Sequence, residues 1–152
     1  MRWLLIDKIL ECEPGKTAHG VKTFPRSDLV FMDHFPGHPI VPGVLQIEMI
    51  AQLGGKCASL AKADILPVLG SVKQAKFYRQ IKPGDLCHVF VQIEKISSTY
   101  IIASGHIEVE GRKACSASIL YGTILRNKLE SESFDSVTKE WLEKNKAREA
   151  DL

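Results

Sequence analysis

The stretch of residues 33–61 constrains the fold more strongly than any other part of the chain. Its first ten residues contain three prolines and a glycine, which exclude a regular helix or a central strand because proline has no backbone N–H to donate. Residues 44–61 follow directly and are apolar on far more than one helical stripe. This pattern is typical of a helix that is buried nearly all round. The sequence therefore predicts a shaped loop that leads into one long helix.

Two adjacent glycines, Gly54 and Gly55, lie inside this helical pattern. Each costs roughly 1 kcal/mol relative to alanine in a helix interior. We expect the close approach of another backbone to compensate for that cost. The alternative is that the helix kinks or ends at the glycine pair.

The rest of the chain is dominated by patterns that are typical of β-strands. Such stretches cover residues 2–12, 16–24, 69–77, 86–96, 99–110 and 113–125. Turn-forming clusters of glycine, proline and acidic residues separate most of them, which favours antiparallel pairing. We therefore expect one α+β domain over residues 1–126, with about six antiparallel strands and the single long helix.

Residues 127–152 are more polar and form a separate C-terminal tail in this interpretation. A short helix is expected over residues 136–149, with Val137, Trp141 and Leu142 as its only anchoring face. Its charges are of mixed sign, which favours a helix on the solvated surface. Docking on a neighbouring subunit is the alternative.

Composition excludes several functional classes. The 152 residues suffice for one domain with a substantial core. The net charge is only +2, and no window interleaves basic and aromatic residues, so nucleic acid is not an expected partner. The longest apolar runs are far shorter than the ~20 residues that a membrane-spanning helix needs. We therefore expect a protein that does not span a membrane. The apolar run after Met1 is too short for a signal-peptide core and meets Asp7 at once, so we expect the protein to be cytoplasmic.

The four cysteines give no sign of a metal or redox site. They are Cys12, Cys57, Cys87 and Cys115, without a Cys-x-x-Cys pair or a histidine at zinc-ligand spacing. We expect them to be small buried apolar side chains.

Residues with catalytic chemistry are concentrated between positions 34 and 52. His34 lies in the proline-fixed loop and is a candidate base, because imidazole titrates near neutral pH. At the expected helix start, the N–H groups of Gly43 and Val44 have no intrahelical acceptor and suit a carbonyl that becomes an enolate. Glu48 lies one turn into the helix, with Gln52 a further turn along the same face. A histidine in a loop most often has no catalytic role, and a glutamate near a helix start often only interacts with the helix dipole. The combination of both with the free N–H groups at the helix start indicates an acid–base site.

This segment also matches a long motif. Its residues are His34-Phe35-Pro36-Gly37, Pro39, Pro42-Gly43-Val44-Leu45, Glu48 and Ala51-Gln52. Together they resemble the signature of the β-hydroxyacyl-acyl-carrier-protein dehydratases, the FabZ and FabA families. Flanking landmarks extend the resemblance to about residues 2–125. Glu48 matches the FabZ type, because the dehydratase–isomerase group has aspartate at that position.

The resemblance implies a hotdog fold, in which the antiparallel sheet wraps around the long central helix. It also implies a homodimer in which each active site takes its histidine from one subunit and its acid from the other. His34 and Glu48 would then meet across the subunit interface. Further assembly into a trimer of dimers is left open.

The resemblance further implies the reaction, which is dehydration of a β-hydroxyacyl chain to the trans-2-enoyl chain in type II fatty acid or related biosynthesis. His34 would remove the C2 proton, and Glu48 would protonate or orient the departing hydroxyl. Gly43 and Val44 would bind the thioester oxygen, and Gln52 would orient Glu48. The substrate would be tethered by phosphopantetheine to acyl carrier protein, with neither a metal nor a redox cofactor.

Acyl carrier proteins are acidic, so a basic contact surface is expected. The best candidates are Lys73, Lys76, Arg79 and Lys82. The alternative is that these side chains only make a strand edge soluble.

Two departures from the motif stand beside the candidate base. Asp33 replaces the usual glycine before His34, and His38 occupies a position that is commonly basic or polar, where we expect a surface role. Two other functions share the fold: a hotdog acyl thioesterase, and a catalytically silent acyl-carrier-binding component. His34 in its loop counts against the first, and the presence of both His34 and Glu48 counts against the second.

Overall fold

A computed structural model describes residues 3–128 and 136–150 of the chain. In chain order the elements are β1 Lys8–Glu13, β2 Thr17–Thr23, α1 Val30–Asp33, α2 Gly43–Ala61, β3 Ile65–Phe77, β4 Leu86–Ile96, β5 Tyr100–Val109, β6 Arg112–Leu125, a 3-10 turn Arg126–Lys128 and α3 Ser136–Ala150. The strands form one antiparallel sheet in the order β1-β2-β4-β5-β6-β3. The predicted six strands and long helix are confirmed, and the fold is the hotdog fold.

The sheet wraps around α2, and most of the core lies between them. The inner face of α2 is fully buried at Met49, Ile50 and Leu53. Its opposite face is only half-buried, at Glu48 and Lys56 among others. The prediction of a helix buried nearly all round was therefore wrong for this face, which carries the polar side chains.

The first strand is shorter than its sequence pattern predicted. Residues 3–6 are not part of the sheet and instead cross the open face of α2. Leu5 is 2% exposed, and its backbone N–H donates to Gln52 Oε1 at 2.9 Å. A buried extended segment and a strand have the same apolar pattern, so the pattern could not separate them.

The helix continues without a break through Gly54 and Gly55, so the alternative that it ends there was wrong. The group that approaches most closely is the Tyr121 side chain from β6, not another backbone. An added Cβ at Gly54 would overlap Tyr121 Oη. That hydroxyl donates to the carbonyl of Ala51 at 2.8 Å. Gly54 therefore makes room for a buried tyrosine hydrogen bond.

Among the described residues, the β3 strand lies at one edge of the sheet and pairs only with β6. It is long, with 13 residues, and includes Pro67, which suits an edge strand because it cannot donate to a ladder. The apolar side chains of Val68, Leu69, Val72 and Phe77 are exposed along it. A long apolar edge of this kind is available for pairing with another chain.

The α3 helix packs against the body of its own chain. Val137 and Thr138 are buried, and Trp141 packs against the main core. The predicted helix and its anchoring through Val137 and Trp141 are confirmed, and the structure adds Thr138 to the buried side chains. The segment of the tail at residues 129–135 lies outside the described residues.

The cysteines are largely buried, as predicted. Cys57, Cys87 and Cys115 are buried and Cys12 is half-buried, all as free thiols. Within residues 3–128 and 136–150, no helix is both long and apolar enough to cross a membrane.

Candidate active site

The candidate base lies in a loop that is closed by its own backbone. His34 follows α1 directly, and its carbonyl accepts the N–H of Ile40 at 3.2 Å. The loop is joined to the body of the protein by the N–H of Val41, which donates to the carbonyl of Ile81 at 2.8 Å. His34 is thereby held half-buried at the surface.

A second contact orients the imidazole of His34. Its Nδ1 lies 3.2 Å from the carbonyl oxygen of Ile40. A carbonyl can only accept, so Nδ1 carries the proton and Nε2 of the neutral ring is left with a free lone pair. This is the tautomer that a general base requires.

The start of α2 presents unpartnered backbone donors. Within the described part of the chain, neither the N–H of Gly43 nor that of Val44 has a hydrogen-bond acceptor. An added Cβ at Gly43 would lie 2.9 Å from the ring of Phe77, so only glycine fits there. The helix dipole adds partial positive charge at the same end. This end of α2 can therefore stabilise a developing oxyanion.

The candidate acid is held by a glutamine one turn further along α2. Gln52 Nε2 donates to Glu48 Oε1 at 3.1 Å and to the carbonyl of Trp3 at 2.9 Å. The other amide atom, Oε1, accepts the N–H of Leu5. Since that backbone N–H can only donate, the amide orientation is fixed and Nε2 must face the carboxylate. The crossing segment of residues 3–6 thus orients the partner of Glu48.

A cavity of about 320 Å³ lies beside Glu48. Tyr121 and Thr138 are part of its lining. Burial, followed by the nearby charge of Glu48, raises the pKa of Tyr121, so its phenol stays protonated. Tyr121 was not among the residues predicted from the sequence, and the available signal was Gly54 in the facing helix.

His34 does not line the Glu48 cavity. A single chain therefore does not bring His34 and Glu48 together in this cavity. Around His34, apolar side chains are left at the surface: Val44 is 73% exposed and Phe35 is 53% exposed.

The four basic residues expected to contact a carrier protein lie on β3 and in the segment that follows it. Lys73 and Lys76 are exposed on β3. Arg79 and Lys82 follow that strand and line a separate cavity together with the acidic Asp85. The four basic residues therefore fall into two pairs.

The two residues that depart from the motif are both exposed. Asp33 ends α1, directly before the base. His38 lies within hydrogen-bond distance of Gln80, with Nε2 3.0 Å from Oε1. Within residues 3–128 and 136–150, no group of three or more histidine, cysteine or acidic side chains is arranged to hold a metal ion.

Together, the wrapped helix and the antiparallel sheet define a hotdog protein. The fold is similar to that of smu.793 from Streptococcus mutans UA159 bound to acetyl CoA, with a TM-score of 0.65 and 12% identity over 82% of this chain and 94% of that one. It is also similar to the dehydratase heterocomplex ApeI:P from Xenorhabdus doucetiae, with a TM-score of 0.60 and 18% identity over 75% and 96% of the two chains.

Sequence comparison gives the family. The FabA-like domain family matches residues 1–118. The 3-hydroxyacyl-acyl-carrier-protein dehydratase FabZ of Clostridium acetobutylicum is 44% identical over 120 residues, which are 78% of this chain and 85% of that protein. The FabZ protein of Clostridium novyi (strain NT) is 38% identical over 122 residues, with the same shares. The chain belongs to the FabZ-type β-hydroxyacyl-acyl-carrier-protein dehydratase family, as the motif predicted.

Proposed function

We propose that this protein dehydrates β-hydroxyacyl chains on acyl carrier protein to trans-2-enoyl chains, in the cytoplasm, as a step of type II fatty acid or related acyl-chain biosynthesis. The observation that carries the proposal is the tautomer of His34. The contact of its Nδ1 with the Ile40 carbonyl leaves Nε2 as a base. Family membership supplies the substrate class to which that base is applied.

The reaction uses three sets of groups. His34 Nε2 removes a proton from C2 of the acyl chain, and the thioester oxygen accepts the N–H groups of Gly43 and Val44 as the enolate forms. Glu48, oriented by Gln52, donates a proton to the C3 hydroxyl, which leaves as water. The proton taken up by His34 then returns to Glu48 through solvent, so the enzyme is restored. The reaction breaks the C2–H and C3–O bonds and forms the C2–C3 double bond, and it uses neither a metal nor a redox cofactor.

We infer that the working unit is a homodimer with shared sites. The outer edge of β3 is apolar and is not paired with any strand of the described part of one chain. Antiparallel pairing of two copies would cover it. The exposed Phe35 and Val44 beside His34 would be covered by the same association. In that arrangement His34 of one subunit meets Glu48 of the other. Assembly of three such dimers remains a prediction.

The acyl carrier protein, which carries the substrate on phosphopantetheine, would approach near Arg79 and Lys82. These two residues lie beyond the end of β3, and Arg79 also lines a cavity of about 430 Å³ with Gly43 at the helix start. A phosphopantetheine arm entering there would reach the backbone donors of α2. Lys73 and Lys76 lie on β3, the strand proposed to pair in the dimer. Their side chains would contact the carrier protein from the exposed face of that strand.

The basic contacts have a specific test. Arg79→Glu is expected to raise KM for the carrier-bound substrate several-fold at low salt while leaving kcat unchanged, because a charge at the rim of an interface mainly affects association. The same variant should treat the small N-acetylcysteamine thioester as the wild type does. An equal loss on both substrates would exclude a carrier-binding role.

The proposed activity is tested by following the absorbance of the conjugated enoyl thioester as purified protein equilibrates it with the β-hydroxyacyl form on acyl carrier protein. Turnover is expected with the wild type and should fall by about 10²–10⁴-fold in His34→Ala. Release of free thiol, measured in the same reaction, identifies thioesterase activity instead. A folded protein that binds acyl carrier protein but does neither would be a silent binding component.

A further inference from the structure

The hydroxyl of Tyr121 takes part in the backbone hydrogen bonds of α2. In a regular α-helix the carbonyl of Ala51 accepts the N–H of Gly55, four residues later. Here Tyr121, which comes from β6, donates its hydroxyl to the Ala51 carbonyl at 2.8 Å. Burial raises the pKa of Tyr121, and a hydrogen bond from the N–H of Gly55 to the phenol oxygen opposes that rise. The hydroxyl therefore bridges two backbone groups that a regular helix pairs directly.

The place that the hydroxyl occupies is tightly packed. Tyr121 is 2% exposed. An added Cβ at Gly54 would overlap the phenol oxygen, and it would also lie 3.7 Å from Ala103 Cβ on β5. A hydroxyl buried to this degree has given up its hydrogen bonds to water, so breaking its bond to α2 is costly. Tyr121 therefore holds the Ala51 carbonyl at a fixed position relative to β6.

The helix turn that Tyr121 holds is the one that carries the candidate acid. Glu48 lies three residues before Ala51. Gln52, which donates to Glu48 Oε1 at 3.1 Å, follows Ala51 directly. Residues three and four apart are neighbours on one side of a helix. A shift of the Ala51 carbonyl would therefore move the backbone that carries both Glu48 and its orienting glutamine.

On its other side Tyr121 reaches the edge of the sheet. It lies opposite Leu69 in the ladder between β6 and β3, and Leu69 lines the Glu48 cavity. The β3 strand is the one proposed to pair between subunits. Tyr121 thus connects the residues beside that edge to the turn of α2 that carries Glu48. In a site completed by His34 of the partner subunit, the position of Glu48 relative to this edge sets the separation of the two groups.

We propose that Tyr121 is a positioning residue for the dehydration, because its hydroxyl fixes the Glu48 turn of α2 relative to the β3 edge and so aligns the acid with the partner's His34. The inference rests on the proposed function and adds to it a residue outside the motif. Tyr121 also lies beyond residues 1–118, which the FabA-like domain family matches. It acts through Glu48, since its own hydroxyl proton is held by the Ala51 carbonyl.

Tyr121→Phe removes only the hydroxyl and keeps the ring in place. The Ala51 carbonyl can then accept the N–H of Gly55 directly, so the urea midpoint of unfolding should change little. Loss of one positioning hydrogen bond should lower kcat by about twofold to tenfold, with little change in KM. The matched control is Tyr100→Phe on the neighbouring strand β5, which should leave kcat unchanged. Steady-state kinetics on a carrier-bound β-hydroxyacyl chain measure both variants.

A double variant shows whether Tyr121 acts through Glu48. Single-turnover reactions with enzyme in excess measure the residual rates of Glu48→Gln and of the double variant Glu48→Gln/Tyr121→Phe. These two rates should be equal, because the acid that Tyr121 positions is absent from both proteins. A hydroxyl that only supports the fold, or that acts at another part of the site, would instead lower the rate by the same factor with and without Glu48.

The negative results have different meanings. An active wild type whose kcat is unchanged in Tyr121→Phe would overturn the positioning role while leaving the dehydration in place. An equal fall in rate in the wild-type and Glu48→Gln backgrounds would overturn it as well. A wild type that turns over no β-hydroxyacyl chain would remove the proposed function, and the inference with it.

Discussion

The two adjacent glycines of α2 should respond in opposite directions to the same substitution. An added Cβ at Gly54 would overlap Tyr121 Oη, whereas at Gly55 its nearest neighbour is Pro67 Cβ at 3.8 Å, which is ordinary contact. Alanine in a helix interior is favoured over glycine by about 1 kcal/mol. Gly55→Ala should therefore stabilise the protein by up to about 1 kcal/mol, since nothing has to move.

In Gly54→Ala, Tyr121 must shift. The shift breaks its buried hydrogen bond to the carbonyl of Ala51, which contributes about 0.5–1.5 kcal/mol. It also forces repacking at a cost of about 1–3 kcal/mol. After subtraction of the alanine preference, the net loss is about 0.5–3.5 kcal/mol.

Urea unfolding followed by circular dichroism, at one fixed protein concentration, measures both glycine variants. Because Tyr121 lines the Glu48 cavity, Gly54→Ala should also lower kcat. Equal stability changes in Gly54→Ala and Gly55→Ala would refute the role assigned to the tyrosine contact.

Two further predictions concern the positioning glutamine and a histidine on the sheet. Gln52→Leu should lower kcat by about twofold to tenfold with little change in KM, because the hydrogen bond that orients the proton-donating carboxyl of Glu48, worth about 0.5–1.5 kcal/mol, is lost. A change confined to KM in steady-state kinetics would contradict this. His19 lies with its Nε2 2.9 Å from His88 Nδ1. Burial is the largest cause that lowers the pKa of His19 below its usual 6.5, and the charge of His88 is the second. The nearby Glu11 and Glu108 raise this pKa, but their effect is weaker. As the pH falls through 6.5, His19 is therefore protonated in the unfolded chain before it is protonated in the folded one. The free energy of unfolding should decrease over the pH range between 6.5 and the lowered pKa of the folded state. His19→Gln should flatten the dependence of Tm on pH between about 7 and 5. The control His38→Gln, in the exposed loop, should leave this dependence as it is in the wild type. Identical slopes of Tm against pH in the wild type and His19→Gln would exclude His19 as the source of the pH dependence.

The long helix, the loop before it and most strand positions could be predicted from local patterns, because proline placement and apolar periodicity determine them directly. The position of residues 3–6 could not. Leu5 and Ile6 have the same pattern whether they pair in a sheet or lie across a helix, and only the contact of Leu5 with Gln52 separates the two.

The identity of the candidate site residues could be predicted from the sequence better than their arrangement in space. The motif identified His34 and Glu48, but it contains no information about Tyr121, which reaches Gly54 from a strand far away in sequence. Thr138 could not be predicted either, because a polar residue in a polar tail gives no sign of burial. Its location depends on where α3 docks, and docking is a tertiary contact that no local pattern specifies.

The dehydration at shared sites is tested most directly by mixing two inactive variants. His34→Ala and Glu48→Gln are co-expressed in equal amounts and purified together, and dehydration of a carrier-bound β-hydroxyacyl chain is measured beside each variant alone. If His34 of one subunit works with Glu48 of the other, half of the dimers are mixed and one of their two sites is intact, which gives about a quarter of the wild-type rate. If both residues act within one chain, every site is damaged and the mixture stays as inactive as its components, a result that would contradict the shared site.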